Sequence, residues 1–145
     1  MDLKGLGVAM ITPFTQDGTI DFDAIPLIVE NITTGRADYI VLMGTTAESS
    51  CLSAKEKQKI IQMVVKINNN RLPLVIGIGG NNTAKVVEEI QSTDLSNFKA
   101  ILSVSPIITN QLKRVFIIIT KKLLMPARYQ LLFTMCLQEQ ELTFM

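Results

Sequence analysis

The first hundred residues alternate between two hydrophobic patterns. Short apolar runs bounded by turn residues predict buried β-strands near residues 7–12, 39–43, 74–78 and 100–104. Between them, apolar residues recur at helical spacing, which predicts helices near residues 23–34, 53–68 and 83–95. Strand–helix alternation of this kind indicates an α/β fold with a parallel sheet and right-handed crossovers. Four strands and three helices make the N-terminal half of a (β/α)8 TIM barrel, which needs roughly 250 residues when complete.

Several residues predict where the helices begin and end. Asp23 is a candidate N-cap for the first helix, and Gly35 is expected to end it. Ser53 followed by Glu56 is a capping-box pattern at the start of the second helix. The run of asparagines at 68–70 is expected to stop that helix.

The turn after the second strand carries the candidate chemistry. Gly44 allows close approach of a ligand, and Thr45 and Thr46 offer two hydroxyls together with backbone N–H groups that can bind a carboxylate. Ligands of α/β proteins bind beyond the carboxyl ends of parallel strands. The alternative is that the threonines only cap a helix, and the residues alone leave both interpretations open.

Composition and net charge argue against several kinds of partner and site. The chain has 145 residues, 48% of them apolar, and a net charge of +1, which gives no basis for a nucleic-acid or acidic-membrane partner. Cys51 and Cys136 form no metal or redox motif, and no leader or long apolar run is present, so we expect a cytoplasmic chain. There is no histidine, so acid–base chemistry must use Tyr, Thr, Lys or carboxylates, and no metal site is predicted.

The glycine-rich stretch at residues 77–80 is similar in composition to a phosphate-binding loop. It lacks the full dinucleotide-binding spacing, and no Lys-Ser or Lys-Thr pair follows it as in a P-loop. These glycines are therefore expected to ease a tight turn between a strand and a helix.

Three stretches resemble the dihydrodipicolinate synthase family of pyruvate-dependent class I aldolases. They are Gly-Thr-Thr-Ala-Glu-Ser at 44–49, the opening residues 5–14, and Pro-Leu-Val-Ile-Gly-Ile-Gly-Gly-Asn-Asn-Thr at 73–83. Ala47 departs from the glycine that most members carry. The related N-acetylneuraminate lyases usually have Ser where Thr45 stands, so Thr45 favours the synthase branch. The resemblance covers residues 3–106.

This resemblance implies a reaction and assigns roles to two residues. Family members condense pyruvate with L-aspartate-4-semialdehyde through a lysine Schiff base in lysine (diaminopimelate) biosynthesis, without a further cofactor and usually as homotetramers. Thr45 matches the threonine of a Thr–Tyr–Tyr proton relay, and Thr46 matches the residue that binds the pyruvate carboxylate. The relay tyrosines would stand where this chain has Ile107 and Ile108. The Schiff-base lysine has no match, so this chain is expected to be a truncated, inactive fragment.

The last forty residues depart from the family pattern. If one base was lost after the Pro106 codon, restoring it allows the codons of residues 107–111 to spell the family motif Tyr-Tyr-Asn-Lys-Pro. With permissible third bases, an Arg-Thr-Gly motif follows at the family spacing. We therefore predict a partial TIM barrel over residues 1–106 and an out-of-frame tail over residues 107–145 that forms no independent domain. The tail is expected to contact the first hundred residues only weakly, and the β-prone run at 115–119 favours aggregation.

Two alternative functions stay open at this point. One is an N-acetylneuraminate lyase-type aldolase. The other is a non-catalytic half-barrel interaction module that pairs with another chain through its open sheet edges. The tail has no capped helices or protected edges of the kind expected in such a module.

Overall fold

The computed structural model describes residues 3–80, 82–104 and 130–134. The strands are β1 (Gly7–Ala9), β2 (Tyr39–Leu42), β3 (Leu74–Gly77), β4 (Ala100–Val104) and β5 (Gln130–Thr134). The helices are α1 (Ile25–Thr34), α2 (Ala54–Asn68) and α3 (Thr83–Ser92). Two short 3-10 turns, Thr45–Ala47 and Ser49–Cys51, lie between β2 and α2.

The five strands form one sheet in the order β1-β2-β3-β4-β5, and each neighbouring pair is parallel. Gly7 lies opposite Tyr39, Ile40 opposite Leu74, and Val75 opposite Ala100. A parallel pair needs a crossover connection, and α1, α2 and α3 supply the first three of these. The parallel α/β half-barrel predicted from the hydrophobic pattern is confirmed.

The fifth strand lies in the segment predicted to be a weakly attached tail. Gln130–Thr134 pairs with Ala100–Val104 at all five positions, so backbone hydrogen bonding joins it to β4. The expectation of weak contacts is therefore wrong for these residues. The exposed edge of β4 can accept a further strand, because its unpaired backbone N–H and C=O groups make the ladder. The β-prone run at 115–119 lies outside the described residues.

The larger part of the core lies between the sheet and its helices. Ile40, Leu42, Leu74 and Ile76 point from β2 and β3 toward the helices, as strand alternation requires. The helical side of this core is made by fully or almost fully buried residues of α1, α2 and α3, namely Ile25, Val29, Ile60, Val64, Val86 and Ile90.

The opposite face of the sheet carries a smaller cluster. Its buried members are Val41, Val75 and Ala100, one from each of β2, β3 and β4. Tyr39 and Leu102 pack against them. The strands are therefore apolar on both faces, which explains why their sequences show continuous apolar runs in place of alternation.

The helix ends follow the sequence signals in part. Ser53 Oγ accepts a hydrogen bond from the Glu56 N–H, and the Glu56 carboxylate accepts one from the Ser53 N–H, which confirms the capping box. The prediction that Asp23 caps α1 is wrong. The N-cap position is Ala24, and the Asp21 carboxylate instead accepts hydrogen bonds from the N–H groups of residues 23 and 24.

The end of α2 is fixed by asparagines, as predicted. The helix ends at Asn68, and Asn69 and Asn70 follow with φ of 44° and 58°. Asparagine tolerates this left-handed conformation better than most residues. The buried Asn68 side chain donates to the Leu72 carbonyl at 2.8 Å and accepts from the Leu72 N–H at 3.1 Å. It therefore holds the start of the connection to β3.

Candidate functional site

The turn after β2 has an unusual backbone path. Met43 and Glu48 have φ of 56° and 50°, the left-handed region that residues with a side chain seldom adopt. Between them, Gly44 is extended and Thr45–Ala47 form a single 3-10 turn. Strained backbone of this kind is found preferentially at functional sites. The two threonines therefore lie on a short turn that is flanked on each side by a residue in the left-handed backbone conformation.

Two tertiary contacts hold this turn. A Cβ atom on Gly77, at the end of β3, would lie 2.5 Å from the Met43 carbonyl oxygen and 2.9 Å from the Gly44 nitrogen, so the two backbones touch. The buried Thr12 hydroxyl, which follows β1, donates to the Ala47 carbonyl at 2.7 Å. The turn is therefore fixed against both strands that flank β2.

Thr45 and Thr46 are exposed, whereas the Ala47 side chain beside them is buried. Gly44 is the N-cap of the 3-10 turn, and no side chain caps it. The interpretation that the threonines serve only as caps is therefore not supported. The first N–H groups of a helical turn have no carbonyl partner within it. Two hydroxyls and two N–H groups are thus presented together at the carboxyl end of β2, which is chemistry suited to a small carboxylate.

The family resemblance also implies two positions for the relay tyrosines, and the structure does not describe either of them. Ile107 and Ile108 lie outside the described residues. Of the predicted site residues, Thr45 and Thr46 are the two that the structure places, and it places them side by side. Thr12 and Gly77 were missed as supports of the turn. Their contacts join residues more than thirty positions apart, which no local pattern reports.

The shifted carboxyl groups of the described residues belong to turns and caps. The Ser53 hydroxyl lowers the pKa of Glu56, and the Ser96 N–H lowers the pKa of Asp94. A hydrogen bond from the Thr15 hydroxyl lowers the pKa of Asp17 in the loop after β1. All three shifts stabilise the ionised form of an exposed carboxylate. They reflect local capping, and none lies on a nucleophile or base at the Thr45–Thr46 turn.

A groove between two helices lies away from the Thr45–Thr46 turn. This groove, of about 820 Å³, separates α2 from α3 on the helical side of the sheet, with Ile61, Val65 and Ile78 among its apolar lining residues. Thr45 and Thr46 do not line it. Among the described residues, no group of three or more His, Cys, Asp or Glu side chains is placed to hold a metal ion.

No helix within the described ranges is long and apolar enough to cross a membrane.

Comparison with known proteins identifies the family. The family model described as "Dihydrodipicolinate synthetase family" matches residues 2–114. A 4-hydroxy-tetrahydrodipicolinate synthase from Flavobacterium psychrophilum is 54% identical over 102 residues, which are 70% of this chain and 35% of the relative. The chain thus spans about a third of the length of the curated relatives it matches.

Solved structures give the same result for the fold. The 4-hydroxy-tetrahydrodipicolinate synthase of Methylacidiphilum fumariolicum SolV superposes with a TM-score of 0.78 at 29% identity, over 91% of this chain and 44% of that one. An N-acetylneuraminate lyase from Mycoplasma synoviae superposes with a TM-score of 0.73 at 27% identity, over 90% of this chain and 45% of that one. The matched residues include all of the Thr45–Thr46 turn. This chain belongs to the dihydrodipicolinate synthetase family.

Proposed function

We propose that this chain is the N-terminal part of a 4-hydroxy-tetrahydrodipicolinate synthase, a cytoplasmic enzyme of lysine (diaminopimelate) biosynthesis. The observation that carries the proposal is the Thr45–Thr46 turn at the carboxyl end of β2, in a chain that is 54% identical to a relative of that name. The complete enzyme would condense pyruvate with L-aspartate-4-semialdehyde. Both substrates are small carboxylates, which agrees with the donors that the turn exposes.

In the proposed reaction, a lysine amine forms an imine with the pyruvate carbonyl and releases water. Loss of a methyl proton then gives an enamine, which attacks the aldehyde carbon of the second substrate. The amino group of that substrate then attacks the imine carbon, which closes the ring and releases the lysine amine. Thr46 would bind the pyruvate carboxylate through its hydroxyl and N–H. Thr45 would pass a proton between the substrate and two tyrosines. The left-handed residues on either side of the turn hold both threonines at the strand end.

We further propose that the 145-residue chain is inactive by itself. Isoleucine stands at positions 107 and 108, where the relay needs tyrosine, and an isoleucine side chain has no hydroxyl group to donate or accept a proton. A base lost after the Pro106 codon accounts for this difference and for the tail over residues 107–145. The nucleotide sequence tests the frame change. Downstream of the codons for residues 107–145, the shifted frame should encode a lysine-bearing strand and the rest of a barrel.

Borohydride trapping with pyruvate tests the inactivity directly. The reagent reduces an imine to a stable amine, so any Schiff base becomes a covalent adduct that intact-mass spectrometry detects. The 145-residue chain should acquire no specific adduct, while the Flavobacterium psychrophilum relative, treated in parallel, should acquire one. A pyruvate adduct on a single lysine of the 145-residue chain would show that it carries its own Schiff-base residue.

The lyase alternative has a separate test. Two N-acetylneuraminate lyase structures from Mycoplasma synoviae share this fold at 25% and 27% identity. By the family resemblance, such lyases usually have serine where this sequence carries Thr45. A frame-restored protein should consume aspartate semialdehyde with pyruvate and leave N-acetylneuraminate intact. Cleavage of N-acetylneuraminate at a comparable rate would assign the chain to the lyases.

A further inference from the structure

The loop between β1 and α1 contains a tight hydrogen-bonded turn. The Gly18 N–H donates to the Thr15 carbonyl at 3.0 Å, and the Thr15 N–H donates to the Thr19 carbonyl at 2.8 Å. The first of these bonds closes a β-turn over residues 15–18, and Gly18 has a φ of 82°. Residues 15–19 are all exposed, so water reaches every part of the turn.

Two hydroxyl groups hold the side chain of Asp17 in this turn. Thr15 Oγ1 donates to Asp17 Oδ1, and Thr19 Oγ1 donates to the same oxygen at 3.2 Å. The two hydroxyl oxygens lie 2.8 Å apart. These hydrogen bonds, the one from Thr15 first, lower the pKa of Asp17 and so favour its ionised form. The carboxylate is therefore restrained in both charge and position.

Asp17–Gly18 is also the one place in the 145-residue sequence where aspartate or asparagine precedes glycine. At such a pair, the glycine nitrogen can attack the γ-carboxyl carbon of the aspartic acid and expel water, which gives a cyclic succinimide. Water then adds to either succinimide carbonyl and opens the ring to aspartate or isoaspartate, so the final mass is unchanged. Glycine permits the attack because it has no Cβ to crowd the nitrogen, and the Cβ position at Gly18 has nothing within 4 Å.

The folded turn opposes the first step at both reacting groups. The glycine nitrogen must lose its proton to form the succinimide, and in the turn that N–H is bonded to the Thr15 carbonyl. The carboxyl group must be protonated to release its hydroxyl as water, whereas the two threonine hydroxyls bind the ionised form. Both effects require the turn to be intact, so an opened turn would react faster.

We propose that Asp17–Gly18 is an isoaspartate-forming site that the Thr15 and Thr19 hydroxyls keep inactive in the folded chain. Loss of either hydroxyl weakens the hold on the carboxyl group and exposes the site to the reaction. Isoaspartate would insert a methylene into the main chain inside the β-turn, so the hydrogen bond from Gly18 to Thr15 would be lost. The modification would therefore prevent the turn from re-forming.

Isoaspartate accumulation tests the proposal. The 145-residue chain is incubated at neutral pH under native conditions, with a parallel sample kept unfolded in urea. Both are then digested, isoaspartate is measured by methyl transfer from S-adenosylmethionine with an isoaspartyl methyltransferase, and electron-transfer fragmentation locates it. The critical variants are Thr15→Val and Thr19→Val, and Thr15→Ser keeps the hydroxyl. Thr34→Val is the matched control, because the exposed Thr34 hydroxyl bonds to carbonyls of its own helix.

We expect isoaspartate at position 17 to form several-fold more slowly in the folded chain than in urea. Each valine variant at the turn should raise the folded-state rate several-fold, and Thr15→Ser and Thr34→Val should keep the slow rate. Asp17→Glu should remove the signal, because a glutamate side chain forms no succinimide. Circular dichroism checks that the variants keep the fold.

Three outcomes would each overturn the inference. The first is an equal rate in the folded and the unfolded chain. The second is a rise in Thr34→Val as large as in the two turn variants, which would assign the effect to general destabilisation. The third is isoaspartate that persists in Asp17→Glu, which would place the reaction at another residue.

Discussion

Replacing Gly77 by alanine should destabilise the protein because the added Cβ has no space. It would lie 2.5 Å from the Met43 carbonyl oxygen and 2.8 Å from its carbon, whereas ordinary contacts begin near 3.4 Å. Both atoms are backbone, so a strand end or the Thr45 turn must move by almost an ångström. Overpacking of this kind costs about 1–3 kcal/mol. Reduced freedom of the unfolded chain offsets about 0.4–1 kcal/mol. A net loss of about 1.3 kcal/mol lowers the folding equilibrium constant roughly tenfold.

Gly80→Ala is the matched control for this experiment. A Cβ at Gly80 would lie 3.7 Å from Val86 Cγ2, an ordinary van der Waals distance, and its φ is not in the left-handed region. This variant should be neutral or more stable by a few tenths of a kcal/mol. Urea unfolding followed by circular dichroism measures both variants against the unmodified chain. Equal midpoints for Gly77→Ala and Gly80→Ala would refute the argument that the β3 end supports the turn.

Two further substitutions probe the ends of α2. Asn68→Ala removes both hydrogen bonds to Leu72 from a buried side chain and should cost about 2 kcal/mol in urea unfolding; a loss below about 0.5 kcal/mol would contradict this. Ser53→Ala removes the N-cap and should cost about 1 kcal/mol at pH 7. Because the Ser53 hydroxyl lowers the pKa of Glu56 in the folded state, its contribution is present above the ordinary glutamate pKa and is lost as pH falls through the folded value. The variant should therefore show a weaker loss of stability in acid, and identical acid curves would contradict the capping box.

Whether a segment is a helix or a strand could be predicted wherever the sequence pattern lies within that segment. The apolar runs located β2, β3 and β4 to within a residue, and the Ser53–Glu56 pair located the start of α2. Element ends were less accurate. β1 stops at Ala9 and α3 at Ser92, three residues short of the predicted ends in both cases. Apolar residues continue past each end, so the pattern extends further than the hydrogen bonding does.

The position of the candidate site could be predicted from the sequence, but the tertiary contacts that hold the turn could not. A glycine followed by two threonines after a buried strand was enough to place Thr45 and Thr46 at the carboxyl end of β2. The left-handed conformations of Met43 and Glu48 were not predicted, because neither residue type favours φ above zero. Tertiary contacts impose these conformations. β5 was not predicted for a similar reason. These five residues form a strand because they pair with the edge of β4, and the local sequence does not report that contact.

The strictly consecutive strand order also bears on how this sheet forms during synthesis. Each strand pairs with the one made immediately before it, and the widest interval between directly opposed residues, from Ile40 to Leu74, is 34 positions. Closing short intervals costs less chain entropy than closing long ones, and nearby pairings form faster. The sheet can therefore grow one strand at a time as the chain leaves the ribosome, and β1 to β3 need no residue after position 77 to complete their pairing.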